Sequence, residues 1–199
     1  MNLEIDQSPI YCRSDKDFDA VYPLKIRKLS SRHWTPVEMA KRAVDFLVDD
    51  SETRVLDIGS GVGKFCLVAA AYSRGHFTGV EQRGSLVRLS QKIATRFHLE
   101  RVKFIHDNIK NINFENFNSF YFFNAFEENL DLTDKIDEDS HIDVGLYESY
   151  CRYLYEQFEA APSGTKVATY CTSSNVIPES YILIKTGTKG KLKFWQKRH

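Results

Sequence analysis

The chain has 199 residues, 42% hydrophobic and 13% aromatic, with 27 Lys and Arg balancing 27 Asp and Glu. That length is enough for one sizeable core and cramped for two, so a single domain over residues 1–199 is expected. The balanced charge gives no global pull toward nucleic acid or an anionic membrane, which disfavours both as partners. Cys12, Cys66, Cys151 and Cys171 are scattered, with no C-x-x-C pair and no His at zinc spacing, so reduced thiols and no metal site are expected. Met1–Asp6 lacks the basic start of a secretory leader, and the longest apolar run, Phe65–Tyr72, is too short to cross a bilayer. A soluble cytoplasmic protein is the expectation.

Residues 1–30 read as irregular and polar, with Asp15, Asp17 and Asp19 set among Tyr11, Phe18 and Tyr22 before the basic cluster Lys25, Arg27 and Lys28. At Thr35-Pro36-Val37-Glu38 a capping residue, a proline at the first helical position and an acid three after the cap predict a helix start. Met39, Ala43, Phe46 and Leu47 share a face of that helix, and the polar run 49–52 closes it. Next comes an apolar strand, Arg54–Ile58, with Asp57 near its end. It feeds glycines at 59, 61 and 63 and a helix over Lys64–Ser73. Glycine lacks a Cβ and tolerates positive φ, so such a turn lets backbone N–H groups approach a ligand above a helix N-terminus. The same glycines would also suit a plain tight connection between strand and helix.

Strand two reads His76–Glu81, ending on an acid about 20 residues past the turn, where Rossmann-like sites bind ribose hydroxyls. Leu86, Leu89, Ile93 and Phe97 recur at helical spacing and predict a core-packed helix over 85–99. Strand three is Val102–His106, followed by Asp107-Asn108-Ile109, in which Asp-Asn is also an ordinary turn pair. After a loop or short helix over 110–118, the consecutive apolar residues Phe120–Phe123 predict a strand covered on both faces and ending at Asn124-Ala125-Phe126. Residues 127–148 hold nine acids and one lysine, the composition of a solvated loop or lid. Tyr147, Cys151, Leu154 and Phe158 mark another sheet-packing helix, and Lys166–Cys171 a fifth strand. Runs at 181–185 and 192–195 form a terminal hairpin, whose tail carries five lysines and Arg198 without an acid.

The G-x-G-x-x-G dinucleotide fingerprint fails here, because Lys64 stands where its third glycine belongs. An acid before a G-x-G-x-G turn instead resembles motif I of the Rossmann-like (class I) S-adenosylmethionine (AdoMet) dependent methyltransferases. Glu81, Asp107 and the terminal hairpin then follow in that family's order. The resemblance implies an α/β fold: a three-layer α/β/α sandwich whose seven-stranded, mostly parallel sheet ends in an antiparallel C-terminal hairpin strand. Residues 1–53 would be an N-terminal extension and cap helix, and 54–199 the AdoMet-binding core. Asp57, Gly59, Ser60, Gly61 and Gly63 would shape the cofactor turn and meet the methionine moiety. Glu81 and Gln82 would take the ribose, and Asp107, Asn108 and Ile109 the adenine. His33-Trp34-Thr35-Pro36 is similar to an aromatic-Thr-Pro element that precedes motif I in several groups, which would bring Thr35 to the methionine end. Asn124-Ala125-Phe126 looks like a reduced Asn-Pro-Pro-Phe motif, placing Asn124 and Phe126 on the substrate side and Asn124 also near the cofactor. The prolines are absent, so Asn124 could equally cap a loop.

The implied reaction is in-line attack of an acceptor lone pair on the sulfonium methyl. The acid-rich stretch after strand four would repel phosphate backbones, so a small molecule or a protein side-chain nitrogen is favoured over nucleic acid. Two alternatives remain open: an inactive AdoMet-binding or protein-interaction module on the same fold, and an NAD-dependent oxidoreductase. The latter lacks any Tyr-x-x-x-Lys or similar hydride-transfer pattern. The methyl acceptor and the oligomeric state are not legible in the sequence.

Overall fold

The structure, a computed structural model, describes residues 14–123, 144–172, 176–187 and 189–198. Seven strands form one sheet: β1 (Arg54–Ile58), β2 (His76–Glu81), β3 (Val102–His106), β4 (Ser119–Phe123), β5 (Lys166–Tyr170), β6 (Tyr181–Gly187) and β7 (Leu192–Lys197). Their order is β3-β2-β1-β4-β5-β7-β6. The first five run parallel to one another, and β7 runs antiparallel between β5 and β6. The mostly parallel sheet with an antiparallel terminal strand, read from the sequence, is therefore the observed one.

Strand alternation sorts the side chains onto two faces. On β1 and β4, Val55 and Tyr121 enter one core, while Leu56, Ile58, Phe120 and Phe122 enter the other. Helices α4 (Val37–Leu47), α5 (Lys64–Tyr72) and α6 (Gly84–Arg96) build the first core, and α7 (Val144–Ala160) covers the second with two 3-10 turns at Ile109–Asn111 and Phe114–Asn116. Helix α5 is buried from Lys64 to Ala69 with no polar face, because α4 and the N-terminal segment lie over it.

Two sequence expectations fail in the N-terminal region. Residues 14–33 are not irregular, since they carry the short helices α1 (Asp15–Asp19), α2 (Leu24–Arg27) and α3 (Ser30–His33), and Phe18 and Tyr22 are fully buried. The capping box at α4 does not form. Pro36 is the N-cap, and the Thr35 hydroxyl turns away to the Tyr121 hydroxyl at 2.9 Å. The Val37 N–H donates instead to the Asp15 carboxylate at 2.9 Å, a cap supplied from 22 residues upstream.

Candidate functional site at the strand ends

The sheet order reverses between β1 and β4, since the chain steps outward to β3 and then returns to the other side of β1. Ligands of open α/β sheets bind at such a switch point, outside the carboxyl ends of the strands. The glycine turn after β1 lies there. Gly59, Gly61 and Gly63 all have positive φ, and Gly63 is the left-handed N-cap of α5. A Cβ on Gly63 would stand 2.5 Å from the Phe104 ring, and one on Gly61 2.7 Å from the Trp34 ring. The turn is thus held by packing on both sides as well as by its own backbone.

At the tip of β2, Glu81 is 5% exposed and reaches across to the turn. Its Oε2 accepts from the Gly61 N–H at 3.1 Å and its Oε1 from the Arg83 N–H at 2.8 Å, with the Arg83 guanidinium 3.6 Å away. Each carboxylate oxygen can accept more than one hydrogen bond. Exposed Gln82 follows, and its carbonyl is bound to the His106 imidazole at 3.0 Å. At the tip of β3, Asp107 Oδ1 takes the Asn108 N–H and the Asn111 amide, both at 2.7 Å. The Asn111 bond first, then the Asn108 amide, hold the Asp107 carboxyl below its ordinary range. Asn108 donates to the Tyr150 hydroxyl at 2.6 Å, and the Ile109 side chain is buried in the second core.

Under the turn, Asp57 is buried and accepts from the Cys66 thiol at 3.3 Å. Burial pushes Asp57 from 3.8 up to about 7, against the Cys66 bond and with the help of the Glu81 charge. Burial, then Asp57 itself, raise the Cys66 thiol well above its usual value. Ser60 is also buried, and its hydroxyl has no hydrogen-bond partner among the described residues. Beside these groups lies a cavity of about 30 Å³, bordered by Thr35, Asp57, Gly59, Ser60, Lys64 and Tyr121. It has room for about one water molecule.

Sequence reading missed several residues here. Lys64, 2% exposed, pairs with Asp15 at 2.7 Å and Asp19 at 2.8 Å and lies 5.3 Å from the centre of the Phe18 ring. Tyr22 donates to the Val62 carbonyl at 3.2 Å, and Tyr121 stacks on Phe65 with centroids 3.8 Å apart. A signal existed for Lys64. One cation in an otherwise apolar helix must find buried acids, and Asp15, Asp17 and Asp19 sit among aromatic residues upstream. The substrate-side candidates Asn124 and Phe126, and most of the acid-rich stretch (127–143), lie outside the described residues. Among the described residues, no three His, Cys, Asp or Glu side chains are grouped to hold a metal, and no helix is long and apolar enough to cross a membrane.

Residues 49–192 match a protein-family model described as a methyltransferase domain. Among solved structures, the fold is similar to an RNA methyltransferase from Salinibacter ruber in complex with S-adenosyl-L-homocysteine. That match has TM-score 0.58 and 17% identity, covering 82% of this chain and 92% of the other. It is also similar to TrmN from Thermus thermophilus (TM-score 0.59, 16% identity, 85% of this chain but 51% of that one). A third likeness is to an rRNA methylase from Streptococcus thermophilus (TM-score 0.55, 11% identity, 84% and 99% covered). No curated protein sequence matches the chain.

Proposed function

Since the chain belongs to the methyltransferase-domain family, we propose that it is an AdoMet-dependent methyltransferase whose cofactor lies along the tips of β1, β2 and β3. The observation that carries this placement is Glu81, whose carboxylate is turned onto the Gly61 amide instead of out to solvent. The neighbouring groups fit a nucleoside bearing an amino-acid tail. Glu81 is a carboxylate at the strand tip where ribose hydroxyls would be bound, and Asp107 is an ionised acceptor at the next strand tip for the adenine amine. Asp57 is an acid for an ammonium, and the Ser60 hydroxyl is an orphan polar group at the turn.

When bound, AdoMet supplies a methyl group already activated on sulfonium. The residues of this chain therefore have to position rather than activate, and positioning is worth roughly 7–11 kcal/mol of a barrier. Gly59 to Gly63 set the backbone close to the tail, and Glu81 fixes the sugar. Thr35 and Tyr121 lock the start of α4 against β4. A deprotonated acceptor nitrogen needs no base, whereas an ammonium or hydroxyl acceptor does.

The acceptor we favour is a nitrogen on a small molecule or protein side chain, because the stretch that follows β4 in the sequence is rich in acids and would repel a phosphate backbone. RNA is the second reading, supported by the RNA methyltransferases among the structural neighbours. Labelled methyl transfer from AdoMet into a cell extract, followed by ribonuclease or protease treatment, separates the two. Label lost to protease or found among small molecules supports the first, and label lost only to ribonuclease the second. No transfer to any fraction favours an inactive module.

A further inference from the structure

The two donors best suited to a carboxylate at the β1 end are already occupied by one from this chain. Asp15 Oδ1 accepts from the Lys64 ammonium at 2.7 Å and from the Val37 N–H, at the N-terminus of the 11-residue helix α4, at 2.9 Å. Lys64 also borders the 30 Å³ cavity, whose wall includes the buried Ser60 hydroxyl, unpartnered among the described residues. A cavity of that size is far too small for an amino-acid group. His33, Trp34 and Thr35 wall the cavity from the N-terminal side, and α1 is fixed next to it through the Lys64 pairs, with the Tyr22 bond to the Val62 carbonyl beside them.

We propose that Asp15 is an internal stand-in for the carboxylate of the cofactor's amino-acid tail, and that Lys64 with the Val37 N–H is the carboxylate-binding pair it covers. This rests on the AdoMet reading given above. The two carboxylates compete for one ammonium and one amide, so the tail seats fully only when Asp15 lets go. Release is cheap in structural terms. The Asp15 side chain is 49% exposed and can pass into water, while Asp19, 11% exposed, stays on Lys64 and keeps that buried charge paired. A Ser30 hydroxyl bond holds Asp19 in place. The apparent affinity for any ligand that needs the pair is lowered by the fraction of molecules in which Asp15 occupies it. A ligand without a carboxylate is indifferent to that equilibrium.

The test is calorimetric binding of S-adenosylhomocysteine and of 5′-methylthioadenosine, which lacks the amino-acid tail, to the full chain and to two variants. Asp15→Asn removes the competing charge without changing its shape. Asp17→Asn removes the same charge from the same helix, where the carboxylate meets Ser14 and not Lys64. The expected result is about three- to tenfold tighter S-adenosylhomocysteine binding by Asp15→Asn, with methylthioadenosine unchanged and Asp17→Asn like the parent. If Asp15 is only a cap for α4, Asp15→Asn will bind S-adenosylhomocysteine no more tightly than Asp17→Asn does, and the inference fails while the cofactor reading stands. Equal tightening of both ligands also overturns it. If the parent chain binds neither ligand, the cofactor reading falls and takes this inference with it.

Discussion

At the β1 end of the crest, Lys64 is held by acids 49 and 45 residues away, and the Val62 carbonyl by a tyrosine 40 residues away. At the β3 end, Asp107 is held by Asn108 and Asn111, one and four residues away. The first end is buried and built from segments that meet only on folding; at the second, the Asp107 carboxylate sits in a local turn open to water, and the long-range tie runs through Asn108 to Tyr150 instead. A change at the β1 end therefore acts on stability and binding together, whereas a change at the Asp107 carboxylate acts chiefly on binding.

The largest effect that would break this contrast is expected at Lys64. Lys64→Met strands Asp19 as an uncompensated buried acid and should cost about 3–5 kcal/mol of stability, read as a lower denaturation midpoint. Adding Asp19→Asn should recover part of the loss. Gly63→Ala forces a Cβ into the Phe104 ring at a φ of +74° and should cost about 2–4 kcal/mol. The crest between the ends is sharpened by Glu81→Gln, which keeps the shape but removes the charge. It should weaken S-adenosylhomocysteine by about 1.5–3 kcal/mol, ten- to hundredfold, in a folded protein. Asp107→Asn should weaken the same ligand only a few-fold and leave the unfolding midpoint where it was, the signature of a local, exposed end.

The pH dependence follows from Asp57. Its folded value of about 7 lies above the ordinary 3.8, because burial disfavours its charge. Between those values the folded state keeps a proton that the unfolded chain has lost. Its contribution to stability is thus fully present below about pH 4 and fades as pH rises through about 7. Binding should run the opposite way. An ammonium on the ligand needs the ionised carboxylate, so S-adenosylhomocysteine affinity should rise with pH through about 7 and proton release should accompany binding below it. Calorimetry in buffers of different ionisation enthalpy measures both.

The same contrast explains what could be read in advance. β2 and β3 fall where their apolar runs and bounding residues place them, because period and punctuation are local. The same local signals place the glycine turn at the end of β1 and Glu81 at the end of β2. The cap of α4 was misread because the local Thr35-Glu38 pattern lost to a carboxylate from residue 15 and to a hydroxyl on β4, neither visible within a window of a few residues. The described part of residues 1–30 reads as irregular because its helices are too short for a periodic signal and are held by the core they cover. Lys64 reads locally as a plain helix start, yet a lone charge in an apolar helix needs a buried partner, and Asp15 and Asp19 supply it.

Thermal unfolding of the full chain against rising S-adenosylhomocysteine tests the central claim most directly. A ligand that binds the folded state stabilises it by RT ln(1 + [L]/Kd), about 2.7 kcal/mol at a hundredfold excess over Kd. The account predicts a midpoint that climbs steadily with ligand concentration and climbs far less in Glu81→Gln. A midpoint that stays flat up to millimolar ligand, or that moves identically in the variant, would contradict it.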